Sequence, residues 1–408
     1  MKKKLLTILL AGTMAVSALG TCMTASAASS GEIVIWTAEP LMSVTQTMAE
    51  EFLAENGYDY SVTVEAVGAG DAASNMITDV EGGADLYGFA QDQLSRLVAA
   101  GAVQPLTGTG YDTWIEEENG SGSVEAATFG STLYAFPQSA DNGYFLYYDS
   151  SVVTDPTSLE TIIADCETAG KNFYFEINNG WYQVAFFFGA GCTLTYETSD
   201  DGTFTSCDIS YANEQGLVAL KEMIELASSS SFQNGSSISS ATNVGAIVDG
   251  TWDASEIQKL FGENYAAVKL PSFTGSDGEE YQLGGFSGYK LLGVKPQTDA
   301  DKLKACLDLA QYLTGTEVQL AVYNEDGWGP SNLTAQEDEA VQADIALSAL
   351  AEQSNYSMGQ GQYPDDYWTL ATSLGDDIIS GNLTSSTSDE DLMAVLEDFE
   401  AQCSSYVQ

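Results

Sequence analysis

The sequence predicts an α/β protein of two lobes, on three observations. Strand-like and helix-like patterns alternate from Gly31 onward, the order that builds a largely parallel sheet flanked by helices. At 408 residues the chain exceeds what one hydrophobic core usually supports. It lacks a Pro-rich linker and an internal repeat, so two lobes joined by crossing strands fit better than separate beads.

The first 27 residues stand apart. Lys2-Lys3-Lys4, the apolar run Leu5 to Gly20, and Ala25-Ser26-Ala27 have the three-part order of a secretory leader with an A-x-A cleavage site. The apolar run is short for a membrane span, and no later stretch is long enough to be one. Leu19-Gly20-Thr21-Cys22 is a competing lipobox. Threonine before the cysteine suits it poorly, so cleavage after Ala27 is expected and a lipid anchor through Cys22 stays open.

Beyond the leader, Ile33–Trp36 reads as a short buried strand. Val44, Met48 and Phe52 recur at helical spacing, Tyr60–Glu65 alternates like a strand, and Asp85–Phe89 ends another before a helix from Gln91. A β-rich patch covers Phe129 to Tyr148, and helix, strand and hairpin resume from Leu159 to about Thr205. A longer helix near Gln215–Ala227 precedes "SSSSFQNGSSISSATN", a surface loop by composition. A strand pair, Tyr265–Leu270 and Gly288–Val294, then leads into a wholly helical C-terminal third.

Charge narrows the function classes. Fifty-nine acidic residues face 12 basic ones, a formal net charge of −47 that deepens to about −50 once the leader lysines are removed. Such an excess keeps a surface solvated and repels nucleic acid and anionic membranes. Arg96 is the single arginine and histidine is absent, which disfavours anionic ligands and excludes His-dependent triads and His-ligated metals. No C-x-x-C pair occurs, so neither a structural zinc nor a redox motif is expected. Cys192 and Cys207 flank a hairpin-like stretch turning near Asp200-Asp201-Gly202, where export would permit a disulfide. Cys166, Cys306 and Cys403 fall on helical patterns as core thiols.

Three tryptophans draw attention at helix starts. In "VDGTWDAS", Thr251 stands at a helix N-cap position and Trp252 follows it. The apolar stripe of that helix runs through Asp253 or Ala254, Ile257, Leu260 and Phe261, with Trp252 off it. Trp368 likewise sits off a stripe of Tyr367, Leu370, Ala371, Leu374 and Ile378. Trp181 lies on a helix apolar almost all round, and its pattern alone favours a core position. An aromatic-lined cleft suits the C–H face of a sugar ring, while carboxylates accept bonds from vicinal hydroxyls. Asp92 and Asp141-Asn142 occupy strand-end corners where α/β folds place ligands. The same carboxylates could serve a glycoside hydrolase as acid and nucleophile, or draw a cation such as a polyamine.

The ordered set "EIVIW", "ADLYGFAQDQLSRLVAAGAVQPL", "TLYAFPQSADNGYFLYYD", "AIVDGTW", "LGGFSGYKLLGVKP" and "GWGPSN" resembles the extracellular solute-binding proteins of carbohydrate ABC importers, maltose/maltodextrin binders above all. The resemblance implies a two-lobed periplasmic-binding-protein-like fold of type II, with hinges near Asp141, Gly284–Gly288 and Gly329–Ser331. It divides the mature chain into one lobe of 28–140 plus 286–330 and another of 141–285 plus 331–408. It also implies a monomer that needs no metal or cofactor, binds a neutral oligosaccharide and delivers it to a membrane permease. Residue by residue, it puts Phe89, Trp181, Trp252 and Trp368 at aromatic platforms, and Asp92, Asp141 and Asp71 at polar ligand positions. Three positions depart from the family pattern. The first turn, "TAEPL", lacks the family lysine and offers Glu39. Gln93 stands for an arginine and Asn179 for a glutamate, which leaves the particular sugar open.

Overall fold

The computed structural model describes residues 31–199 and 202–407. The leader, Cys22 and the hairpin tip at Asp200-Asp201 lie outside the described residues. Two five-stranded sheets organise the rest. In the first, Tyr60–Ala66, Gly31–Thr37 and Leu86–Ala90 run parallel, and Lys290–Val294 lies antiparallel between Leu86–Ala90 and Ala135–Ser139. In the second the order is Phe232–Gln233, Asn172–Tyr174, Val244–Asp249, Phe145–Asp149, Tyr265–Val268, the first three parallel and the last two pairings antiparallel. The expected strand–helix alternation is therefore real, with one long-range strand inserted antiparallel into the first sheet.

Each sheet has apolar clusters of its own. Ile33, Ile35, Leu86 and Leu292 of the first sheet bury against the helices Met42–Glu55, Ala300–Leu313 and Thr316–Asp326. Phe173, Ala246 and Val248 of the second bury with Tyr367, Leu374, Leu396 and Phe399 of the last two long helices, Asp365–Ile379 and Asp389–Ser405. These helices form because apolar residues recur every three or four positions. Two of them, Ala300–Leu313 and Asp389–Ser405, start at side-chain caps, Asp299 and Ser388, whose oxygens accept otherwise unpaired amide hydrogens.

Several local expectations need correction. Tyr265–Val268 and Lys290–Val294 belong to different sheets, so the chain crosses from one to the other between them. The Ser-rich stretch is more than a surface loop: Phe232–Gln233 forms an edge strand and Ile238 is buried. The C-terminal third carries one short strand, Ser357–Gly359, paired with Gly285–Ser287. Cys192 and Cys207 are both free thiols, because the hairpin register sets Cys207 opposite Tyr196 rather than Cys192. Cys166, Cys306 and Cys403 are buried thiols as expected. No helix among the described residues is long and apolar enough to cross a membrane.

Candidate functional site

Between the two sheets lies a cleft of about 890 Å³. Strand ends from both sheets feed it: the turn after Gly31–Thr37, the corner after Leu86–Ala90, and the helix starts after Asn172–Tyr174 and Val244–Asp249. Ligand sites form at such positions because backbone groups and first-turn side chains project there without partners of their own. A second hollow of about 500 Å³ shares only Asn142 with the cleft and lacks tryptophan, so the site is assigned to the larger space.

Trp252 shows how local sequence builds this surface. The chain leaves Val244–Asp249 through Gly250 and makes one tight turn, Thr251–Asp253, before the helix Ala254–Phe261. The indole folds back over Gly250, where a Cβ would stand 2.1 Å from the ring. Only glycine leaves room for it. Ala254, Ile257 and Phe261 face the core and Leu260 is exposed, so the stripe is narrower than expected and Trp252 stands outside it, in the cleft. Thr251 does not cap the helix. Its hydroxyl donates instead to the carboxylate of Asp141.

Trp181 begins the helix Gly180–Gly189, held by Asn179, whose Oδ1 accepts the Trp181 amide at 2.9 Å. Its ring meets that of Tyr144 in a T-shaped contact, and its Nε1 donates to Gln360 Oε1 at 3.1 Å. The indole lines the cleft beside Trp252, 5.9 Å between centroids. Trp181 is half-buried: it packs against the core of the second sheet and also lines the cleft. Trp368 leans on Tyr363 and Tyr367 and completes the aromatic lining.

Among the polar candidates, Asp71, Asp92, Gln93, Asn142 and Asn179 line the same space. Asp92 is 6% exposed, and burial pushes its carboxyl up to about 7 despite the attraction of Arg96. Gln93 is anchored through Nε2 to the Gly70 carbonyl at 2.9 Å. Asn142 donates to Gln360 Oε1 at 3.2 Å.

Three expected contacts are not cleft contacts. Phe89 is fully buried on a central strand, its ring 5.7 Å from that of Tyr87 on the same strand face, and has no surface to offer. Asp141 is equally buried. It accepts from Ser139, Thr251, the Gly329 amide at 2.8 Å and Lys290 at 3.3 Å, so it ties the crossing segments together. Glu39 is exposed beside Ala38 and Pro40, which line the cleft while it does not.

The structure adds residues that sequence reading missed: Glu176, Asp253, Lys290, Asp326, Trp328 and Gln360. Lys290 holds its ammonium 4.8 Å from the Trp252 ring and 4.0 Å from the Trp328 ring, with Asp141 as counter-ion. Lys290 and Trp328 sit inside "SGYKLLG" and "GWGPSN", motifs that carried the resemblance without being read as site residues. Across the rim, Arg96 pairs with Asp365, and Gln362 Oε1 accepts from the amide of Ser95 at 3.1 Å.

A two-lobed α/β molecule with an aromatic, carboxylate-rich cleft between its sheets is a solute-binding protein in architecture. Residues 47–349 match the family described as bacterial extracellular solute-binding protein, and the chain belongs to that family. It is accordingly an exported binding protein, not an enzyme. Solved structures agree over almost the whole length. One determined with acarbose is 25% identical, with a TM-score of 0.80, 92% of this chain and 98% of that one being covered. The maltodextrin-binding protein MalE1 of L. casei BL23 is 22% identical (TM-score 0.75, coverage 92% and 99%). The maltose-maltodextrin-binding protein of Alicyclobacillus acidocaldarius is 19% identical (TM-score 0.73, coverage 91% and 99%). No curated protein sequence matches the chain significantly.

Proposed function

We infer that the protein captures an oligosaccharide, with maltooligosaccharides as the first candidates, and hands it to the membrane permease of an ABC importer. The observation that carries this reading is the convergence of Trp181, Trp252 and Trp368 on one cleft beside Asp71, Asp92, Asn142 and Asn179. The rings offer flat apolar faces to pyranose C–H surfaces, and the polar groups offer acceptors and donors for hydroxyls. Relatives solved with acarbose or maltotriose support the choice of sugar class. Closure about the segments near Asp141, Gly284–Gly288 and Gly329–Ser331 would then enclose the ligand.

A thermal-shift panel of sugars tests the reading, since a ligand that binds only the folded state raises the melting temperature. Maltotriose or a longer maltooligosaccharide should give the largest shift. A panel in which no saccharide moves the transition would refute it.

A further inference from the structure

We propose that the cleft selects saccharides carrying a protonated amine over their neutral counterparts, an inference that rests on the oligosaccharide reading above. The charge lining the cleft is one-sided. Asp71, Asp92, Glu176, Asp253 and Asp326 all face it, and none forms an ion pair among the described residues. The two basic groups of the cleft are already engaged. Arg96 is held by Asp365 and Lys290 by Asp141.

The hydrogen bonds these carboxyls do have come from neutral donors. Glu176 accepts from Asn179 Nδ2 at 3.2 Å and Ser236 Oγ at 2.8 Å, Asp253 from the Ile238 amide at 3.1 Å, and Asp326 from Trp328 Nε1 at 3.1 Å. Asp92 is the sharpest case: it lines the cleft, is only 6% exposed, and its Oδ1 has no partner. Gathering unpaired carboxyls in a sheltered space is costly, and burial raises both Asp92 and Asp326 to about 7. A hydroxyl would satisfy their lone pairs and leave the charge uncompensated. An ammonium on the sugar would supply donors and the missing positive charge together.

Three further observations favour a cation carried on a sugar. The rings of Trp181, Trp252 and Trp368 line the same space and attract cations through their faces. No three His, Cys, Asp or Glu side chains among the described residues converge as metal ligands would, so the charge is spread over a ligand-sized cleft. The net charge of −47 also draws cations from solution.

Calorimetry of the exported chain against maltotriose, and against maltotrioses bearing a primary amine in place of one 6-hydroxyl, tests this. At low salt at least one amine isomer should bind about tenfold tighter than maltotriose. The advantage should shrink as salt rises to ~0.5 M, because neutral binding is not screened. In an Asp92→Asn, Glu176→Gln double variant, checked for folding by its melting transition, the amine-to-neutral ratio should fall to near one. Asp71→Asn, at an exposed position, should lower the same ratio and serves if the double variant unfolds. Amine isomers that bind no tighter than maltotriose would overturn the amine preference and leave the oligosaccharide reading standing. A ratio that survives both variants would overturn it as well. Binding of spermidine without any saccharide would bring down the oligosaccharide reading itself.

Discussion

A single methylene-sized space decides how the Trp252 ring stands. Because the indole lies over Gly250, Gly250→Ala should displace it and weaken sugar binding as far as Trp252→Ala does. Loss of one stacking partner is worth about 1 kcal/mol, about fivefold in affinity. Calorimetry on the two variants checks both, and unchanged affinity in either would remove the platform role. At this scale the sequence was informative where helical phase was decisive: Trp252 and Trp368 declared themselves by standing off their stripes. It misled where burial is set from elsewhere in the chain. Phe89 and Asp141 occupy expected chain positions, yet burial depends on neighbours far away in sequence. Gln360 was invisible for the same reason, because its contacts with Asn142 and Trp181 span 218 and 179 residues.

Elements were more legible than their partners. The helix Glu214–Ser228 falls within a residue of its expected bounds, since its apolar spacing and its Asn213 cap are local signals. Strand pairing is not local, and Lys290–Val294 could not have been placed in the first sheet from its own residues. The same helix carries a testable oddity. Glu222 is 8% exposed, and burial, then the charges of Glu160 and Glu225, push its carboxyl up to about 7. A carboxyl raised in the folded state binds its proton more tightly there, so its favourable contribution is complete below about 4.5. It is lost as pH climbs through about 7. Glu222→Gln should therefore raise the melting temperature at pH 8 and change it little at pH 5. Equal effects at the two pH values would contradict this.

At the scale of the whole molecule, Asp141 ties the crossing segments to one another. Its carboxylate joins Ser139, Thr251, Lys290 and Gly329, and its removal would strand a buried ammonium. Asp141→Ala should cost about 3–5 kcal/mol of stability in urea denaturation, and adding Lys290→Met should restore much of it. Failure of the second substitution to compensate would show that the pair matters for something other than charge. If the lobes close on sugar, the radius of gyration from small-angle scattering should fall on adding ligand, and a constant value would count against closure. The two-lobed plan was readable because alternation of elements persists along the chain; the place of Gln360 in the cleft floor was not, because its partners there lie 179 and 218 residues away. Two indoles, Trp181 and Trp252, meet in that floor at 5.9 Å and 46°. At such spacing and tilt their strong short-wavelength transitions couple, which should give circular dichroism a signed pair of bands in the far ultraviolet. The protein thus carries its own optical gauge of cleft geometry, needing no dye or label.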